Sequence, residues 1–337
     1  MEPFLEALMH RVLVGDGAYG TLLASRGLVV GGGVGPVLNI AKPNFVLSAH
    51  QEYLDAGSDV IETNTFGADP MALSAAEANV TSFDVCKAGA ELARQAADGK
   101  AYVLGAIGPL FRSSAKLTDD ERSDCIAQQV KGLIAGGVDA VLLETYPDLP
   151  ELLFAIEAVR SASADVPLIA QMAFTLAGTT TTGTSPERML KALADQPVDV
   201  IGANCGGGES AAIEVCRRMV ELTEKPISIF PNRGLADFDD HGRPIYIESS
   251  DYFARSARRL ADLGANLIGG CCGTTPEDIR KLKVQINARK PSMRHMRVPA
   301  EPAAVEETRE PIQVQATLDA DLRTRTGGVA DVAPPRG

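Results

Sequence analysis

No uninterrupted apolar run in this 337-residue chain approaches the roughly 18 residues that a membrane-spanning helix needs. The amino end, Met1-Glu2-Pro3-Phe4-Leu5-Glu6, is acidic and lacks the basic-then-apolar pattern of an export signal, so the expected location is cytoplasmic. Basic charge is scarce as well. Lys and Arg total 32 against 44 Asp and Glu, a formal net charge of −12, and the basic residues are scattered. With no basic patch to hold a phosphate backbone, neither nucleic acid nor a membrane is an expected partner, and a small ligand is the better expectation. Histidines are few and isolated: His10, His50, His241 and His295 are not spaced to share a metal ion. Six cysteines without secretory features read as reduced thiols with metal, catalytic or core roles.

What the chain does have is a hydrophobic fraction of 45% arranged in short β-branched runs. Eight of them stand out: Val12–Val14, Val60–Thr63, Tyr102–Gly105, Ala140–Leu143, Pro167–Ala170, Val198–Ile201, Pro226–Ile229 and Asn266–Gly269. Each is followed by a polar or glycine-rich turn and a stretch of helical period. Near-continuous apolar strands alternating with helices predict a parallel sheet covered on both faces, and eight such units predict an α/β fold of the closed (β/α)8 TIM barrel type. Ser185-Pro186-Glu187 and Thr275-Pro276-Glu277 predict helix starts, as does Ser249 or Ser250; Gly57, Gly137 and Gly264 sit where helices should stop. One αβ loop recurs, in Asp55–Asp59, Gly136–Asp139 and Asp262–Asn266. The barrel is expected to occupy 1–290. Residues 291–337 hold six prolines and no aromatic residue, and read as a disordered tail or the stump of a linker.

A barrel builds its active site at the carboxyl ends of its strands. There stand Asp16, Glu62 to Asn64, Glu144, Asn204 with Cys205, Asn232, and the vicinal pair Cys271-Cys272 flanked by glycines. A lone cysteine in an apolar strand is most often a small core residue. Three thiols on two strand ends are more economically read as a zinc site, because soft thiolates favour zinc over magnesium or calcium, and three protein ligands leave a fourth position open for chemistry. Cys86, Cys125 and Cys216 lie in helical segments among apolar residues and read as core. Gly15-Asp16-Gly17-Ala18-Tyr19-Gly20 satisfies a dinucleotide-binding glycine pattern, but the acidic residue expected about 20 positions later is absent. Asp16 is better explained as a carboxylate aimed into the barrel mouth which, with Glu144, could grip an ammonium group.

Gly15–Thr21, Thr63–Ala68, Leu143-Glu144-Thr145, Gly202–Cys205, Pro231-Asn232 and Gly269–Pro276 resemble zinc-dependent homocysteine S-methyltransferases. The likeness is closest to the homocysteine-binding module of cobalamin-dependent methionine synthase and to the amino-terminal half of fused homocysteine methyltransferase and methylene-folate reductase proteins, and it covers about residues 10 to 288. The resemblance implies a (β/α)8 barrel, Zn2+ held by Cys205, Cys271 and Cys272, and homocysteine held at its amino group by Asp16 and Glu144. It further implies that backbone near Gly17 and Ala18, with Thr65, meets the substrate carboxylate. No catalytic group is implied beyond the zinc site. The methyl donor is left open among methylcobalamin, methyl-folate, a sulfonium and betaine, possibly delivered by a separate protein module. The segments Val30–Pro36 and Gly206–Gly208 depart from the family pattern by their glycine content. Two alternatives remain at this point: a noncatalytic or redox-sensing thiol barrel, and a nicotinamide oxidoreductase using the glycine turn.

Overall fold

Strands and helices alternate along the chain in a computed structural model that describes residues 1–28, 34–110, 116–238 and 244–287. The expected tail at 291–337 lies outside the described residues, as do positions 30–33 of the glycine-rich segment; its last three residues open helix α3 (Val34–Ala41). Seven strands come first: β1 (Leu13–Val14), β2 (Val60–Glu62), β3 (Tyr102–Ile107), β4 (Ala140–Tyr146), β5 (Leu168–Met172), β6 (Val200–Cys205) and β7 (Ile227–Pro231). A small antiparallel ribbon, β8 (Asp237–Phe238) with β9 (Pro244–Ile245), precedes the last barrel strand, β10 (Leu267–Ile268). The eight-stranded sheet runs β1-β10-β7-β6-β5-β4-β3-β2 with parallel pairings throughout. All eight expected runs are therefore strands of a (β/α)8 barrel. Five of them, β3 to β7, reach further toward their carboxyl ends than the apolar runs indicate.

The seam between β1 and β2 closes without a regular ladder. Asp59 N–H donates to the Val14 carbonyl at 2.7 Å, while two carboxylates supply the other acceptors: Val14 N–H donates to Asp59 Oδ2 at 3.0 Å and Glu62 N–H to Asp16 Oδ2 at 2.8 Å.

The recurring αβ loop has a structural purpose. Its last residue accepts a hydrogen bond from a backbone N–H at the start of a neighbouring strand, a group that would otherwise be orphaned. Asp59 does this for Val14, Asp139 for Val103 at 2.7 Å and Asn266 for Ile227 at 3.0 Å. A fourth instance, Asp199 for Leu168 at 2.8 Å, was not visible as a repeat. The helices stop as their sequences indicate, with Gly57 at φ 104° and Gly264 at φ 117° in the left-handed region. Ser185 and Ser249 accept from the N–H groups of Arg188 and Tyr252. At Thr275 the capping works in reverse too, because Asp278 Oδ2 accepts from both the N–H and the hydroxyl of Thr275.

Alternate strand residues fill the barrel interior, among them Leu13, Leu104, Leu142, Ile169 and Val200. Helix α1 (Phe4–His10) plugs the amino-terminal end of that interior with Phe4, Ala7 and Leu8, and Phe4 meets Tyr102 edge to face at 5.5 Å. Opposite faces of the strands pack against the helices, where Cys86, Cys125 and Cys216 are buried as core residues. Among the described residues, no helix is long and apolar enough to cross a membrane. With one end plugged, the carboxyl rim is the place for chemistry.

Candidate metal centre and ligand pocket

Cys205 closes β6 in the left-handed region at φ 58°, followed by Gly206 at φ 73°. This turn carries its thiol toward Cys271 and Cys272, which directly follow the Gly269-Gly270 pair after β10. The three sulfurs lie within 4.8 Å of one another, with Cys271 and Cys272 at 4.0 Å. Tetrahedral zinc with bonds of about 2.3 Å spaces its sulfurs by about 3.8 Å, so small shifts would close this trio on one ion. Among the described residues it is the one group of His, Cys, Asp or Glu with such spacing.

Their electrostatics describe one negative charge shared by three sulfurs. Hydrogen bonds from Cys271 and Cys272 pull the Cys205 thiol down to about 2, and the same bonds push Cys271 well up and Cys272 to about 11. Without a cation only one of the three ionises readily, whereas a divalent ion would hold all three as thiolates. Asn232 stands beside them. Its Nδ2 donates to the Gly206 carbonyl at 3.1 Å, while its buried Oδ1 has no partner. The soft donor set and this orphaned oxygen both fit a bound metal. Tyr246 reaches the trio from the ribbon side, hydrogen-bonded to Cys272, and burial followed by the neighbouring thiol pushes its phenol well up. Its carbonyl is held at 3.0 Å by Arg233, which also meets Asp278 at 3.2 Å.

Three carboxylates stand on the adjoining arc of the rim. Asp16 is 1% exposed; its Oδ2 accepts from the Tyr19 hydroxyl at 2.6 Å and from Glu62 N–H, and its Oδ1 has no partner. Burial pushes the Asp16 carboxyl up to about 7 against the pull of those hydrogen bonds. Behind Tyr19 lies His50, with Nδ1 at 2.7 Å from the phenol and burial holding the ring down to about 3. Since the phenol donates to Asp16, the neutral imidazole must donate to the phenol, so the chain of bonds fixes the Nδ1–H tautomer. Glu144 sits at an irregularity in the β4–β5 register between Leu143 and Tyr146, next to Thr145 at φ 63°. The irregularity re-aims its side chain into the mouth. Burial, then the charges of Cys205 and Asp16, push Glu144 up to about 8. Glu62 ends β2 and is raised by burial, then by Glu144 and Asp16; its Oε1 is buried without a partner.

Asn204 ties the two halves together. Its Nδ2 lies 3.1 Å from Glu144 Oε2, 2.6 Å from Thr145 Oγ1 and 3.9 Å from Cys271 Sγ, and its Oδ1 accepts from Thr145 N–H at 2.7 Å. Of the remaining expected residues, Gly17 is a close-approach glycine: a Cβ there would stand 2.6 Å from Thr274 Oγ1. Ala18 N–H donates to that same hydroxyl at 3.1 Å. Thr65 is fully buried, its hydroxyl donating to the Ala106 carbonyl at 2.7 Å and meeting Thr63 Oγ1 at 2.6 Å. The roles of Tyr19, His50, Glu62 and Asn204 were not drawn from the sequence. Tyr19 follows Asp16 at helical spacing and could have been paired with it, but the contacts of the other three depend on strand packing.

A barrel with three thiols and a group of carboxylates on its carboxyl rim defines a class of α/β barrels whose rim could hold a metal ion on thiolates. The chain belongs to the homocysteine S-methyltransferase family, whose model matches residues 13–286. The methionine synthases of Mycobacterium leprae (strain TN) and Mycobacterium tuberculosis (strain ATCC 25618 / H37Rv) are 32% identical over 299 and 306 residues. Those matches take in 84% and 85% of this chain but only 25% and 26% of the relatives, so the chain spans about a quarter of the length of the curated relatives it matches. Among solved structures, the metallated form of the homocysteine methyltransferase MmuM from Escherichia coli superposes with a TM-score of 0.68 at 25% identity, covering 81% of this chain and 96% of that one. A methyltransferase from Methanosarcina mazei, 11% identical, shares the fold at a TM-score of 0.54, over 83% of this chain and 96% of that one. Neither alternative reading gains support. The glycine turn serves barrel packing, since a Cβ on Gly15 would stand 2.5 Å from the Phe230 ring.

Proposed function

We propose that this barrel binds homocysteine and presents its sulfur to a methyl donor, giving methionine. The observation that carries the reading is the convergence of three thiols and three carboxylates on one rim, which matches the two ends of an amino thiol. Cys205, Cys271 and Cys272 would hold a zinc ion, which when bound supplies a positive charge that favours the ionised form of the substrate thiol. Asp16 and Glu144 hold the substrate ammonium, and Asn204 keeps Glu144 in register with the metal side. The backbone around Gly17 and Ala18, with Thr65, would meet the substrate carboxylate. In the transfer the sulfur lone pair forms the new C–S bond as the bond from methyl to donor breaks, its electron pair leaving with the donor. The thiol proton passes to solvent or to a rim carboxylate. The donor is methylcobalamin, methyl-folate, a sulfonium or betaine, and the relatives' greater length favours delivery by another module.

The test begins with metal content. Protein purified under reducing conditions is expected to hold about one zinc per chain, and Cys205→Ser, Cys271→Ser and Cys272→Ser each to lose most of it. Full occupancy in Cys271→Ser would sink the assignment. Homocysteine added to the zinc-loaded protein should release protons in an unbuffered titration, because the thiol must ionise. A donor panel scored for methionine then identifies the methyl source.

A further inference from the structure

The carboxylates outnumber what a two-point grip requires. Among the described residues, no Lys or Arg is hydrogen-bonded to Asp16, Glu62 or Glu144, and the charges that act on Glu62 are the other two carboxylates. Two buried oxygens, Asp16 Oδ1 and Glu62 Oε1, have no partner at all. An acceptor buried without a partner carries its full desolvation cost, so such oxygens in a ligand mouth mark where a donor belongs. The direction of Asp16 is fixed, and Glu62 follows Val60 on the inward face of β2. Tyr19 and the Glu62 N–H both hold Asp16 Oδ2, so Oδ1 cannot turn away, and the same N–H bond ties the Glu62 backbone to Asp16 across the barrel seam. A primary ammonium, with its three N–H donors, can supply what these oxygens lack.

Building on the proposed homocysteine site, we infer that Glu62 contacts the substrate, its Oε1 joining Asp16 and Glu144 so that all three N–H groups of a primary ammonium are taken. The pocket then selects primary amino thiols, because an N-alkylated ammonium lacks one donor and places a carbon against a buried carboxylate. Specificity of this kind comes from leaving a buried polar group unpaired with the wrong ligand.

Calorimetric titration of zinc-loaded wild type, Glu62→Gln and Glu62→Ala with L-homocysteine, N-methyl-L-homocysteine and 4-mercaptobutyrate tests this. Glu62→Gln preserves size and the backbone N–H, so zinc content is expected to stay at the wild-type value and the thermal midpoint not to fall. Homocysteine should bind about 10-fold or more weakly to Glu62→Gln, and at least as weakly to Glu62→Ala. 4-Mercaptobutyrate, which lacks the amino group, should change by less than about twofold, and the gap between homocysteine and its N-methyl form should narrow in both variants. Unchanged homocysteine affinity in Glu62→Gln, with Asp16→Asn impaired, would overturn the role of Glu62 and leave the homocysteine site standing. Equal losses for homocysteine and 4-mercaptobutyrate would reduce Glu62 to a structural group. Failure of wild type to bind homocysteine would overturn the underlying function instead.

Discussion

At Cys205 the metal centre depends on backbone shape as much as on sulfur. The residue holds a left-handed conformation at φ 58° and hands the chain to Gly206, where any Cβ would run into the Phe174 carbonyl. An L-residue in that region costs roughly 1–2 kcal/mol before the collision is counted. Gly206→Ala is therefore expected to lower zinc retention and the thermal midpoint although all three cysteines remain, as metal analysis after dialysis and a melting curve would show. The buried carboxylates carry a different cost. Asp16 is raised in the fold from 3.8 to about 7, so its contribution to stability is complete below pH 4 and is lost as pH rises through about 7. In the metal-free protein, Asp16→Asn should gain roughly 1–3 kcal/mol over wild type at pH 8 and nothing at pH 4, measured by urea unfolding. Isolated residues were readable from sequence only where chemistry and position coincide: thiols and carboxylates at strand ends announce themselves. Asn204 was placed on the rim but its contacts were not, because Glu144 and Cys271 come from other parts of the chain, and His50 looks solitary until α4 (Pro43–Ala56) packs it against Tyr19.

The elements owe their regularity to acceptors placed at the bottom of the barrel. Asp139 accepts from Val103 N–H and meets Arg94 at 2.7 Å, so Asp139→Ala strands both a strand-end donor and a guanidinium. A loss of about 1–3 kcal/mol is expected in equilibrium unfolding, with Asp139→Asn retaining part of it through its amide oxygen. The strands themselves were legible because a parallel sheet covered on both faces demands unbroken apolar runs. Their carboxyl ends were less so. β4 and β6 continue through Glu144-Thr145 and Asn204-Cys205, polar residues that apolar patterning cannot count as strand, although neighbouring backbone keeps them extended. The β8–β9 ribbon escaped for a related reason: its two-residue strands, Asp237–Phe238 and Pro244–Ile245, lie in no apolar run.

Across the whole molecule, α1 seals the lower end and leaves the upper rim to bind ligands, so occupancy should report on global stability. Zinc with homocysteine is expected to raise the thermal midpoint above that of zinc alone, since both would bind only the folded barrel. The eighth βα unit is complete at Ile286, and a chain ending at residue 290 should therefore keep its zinc and its melting behaviour. The eight-unit architecture was readable from sequence; the seam was not, because which pair of strands lacks a ladder depends on closure of the ring. That seam has a consequence for chain order. Arg11, just past α1, and Lys283, near the end of α12 (Pro276–Ile286), both reach Asp59, at 3.2 and 2.7 Å, so the two ends of the barrel's chain meet at the seam. β1 is laddered to β10 and joined to β2 mainly through Asp16 and Asp59. A circular permutant that begins before β2 and finishes with β1 would preserve every backbone ladder, leaving the two carboxylates to close the same ring from a different starting point.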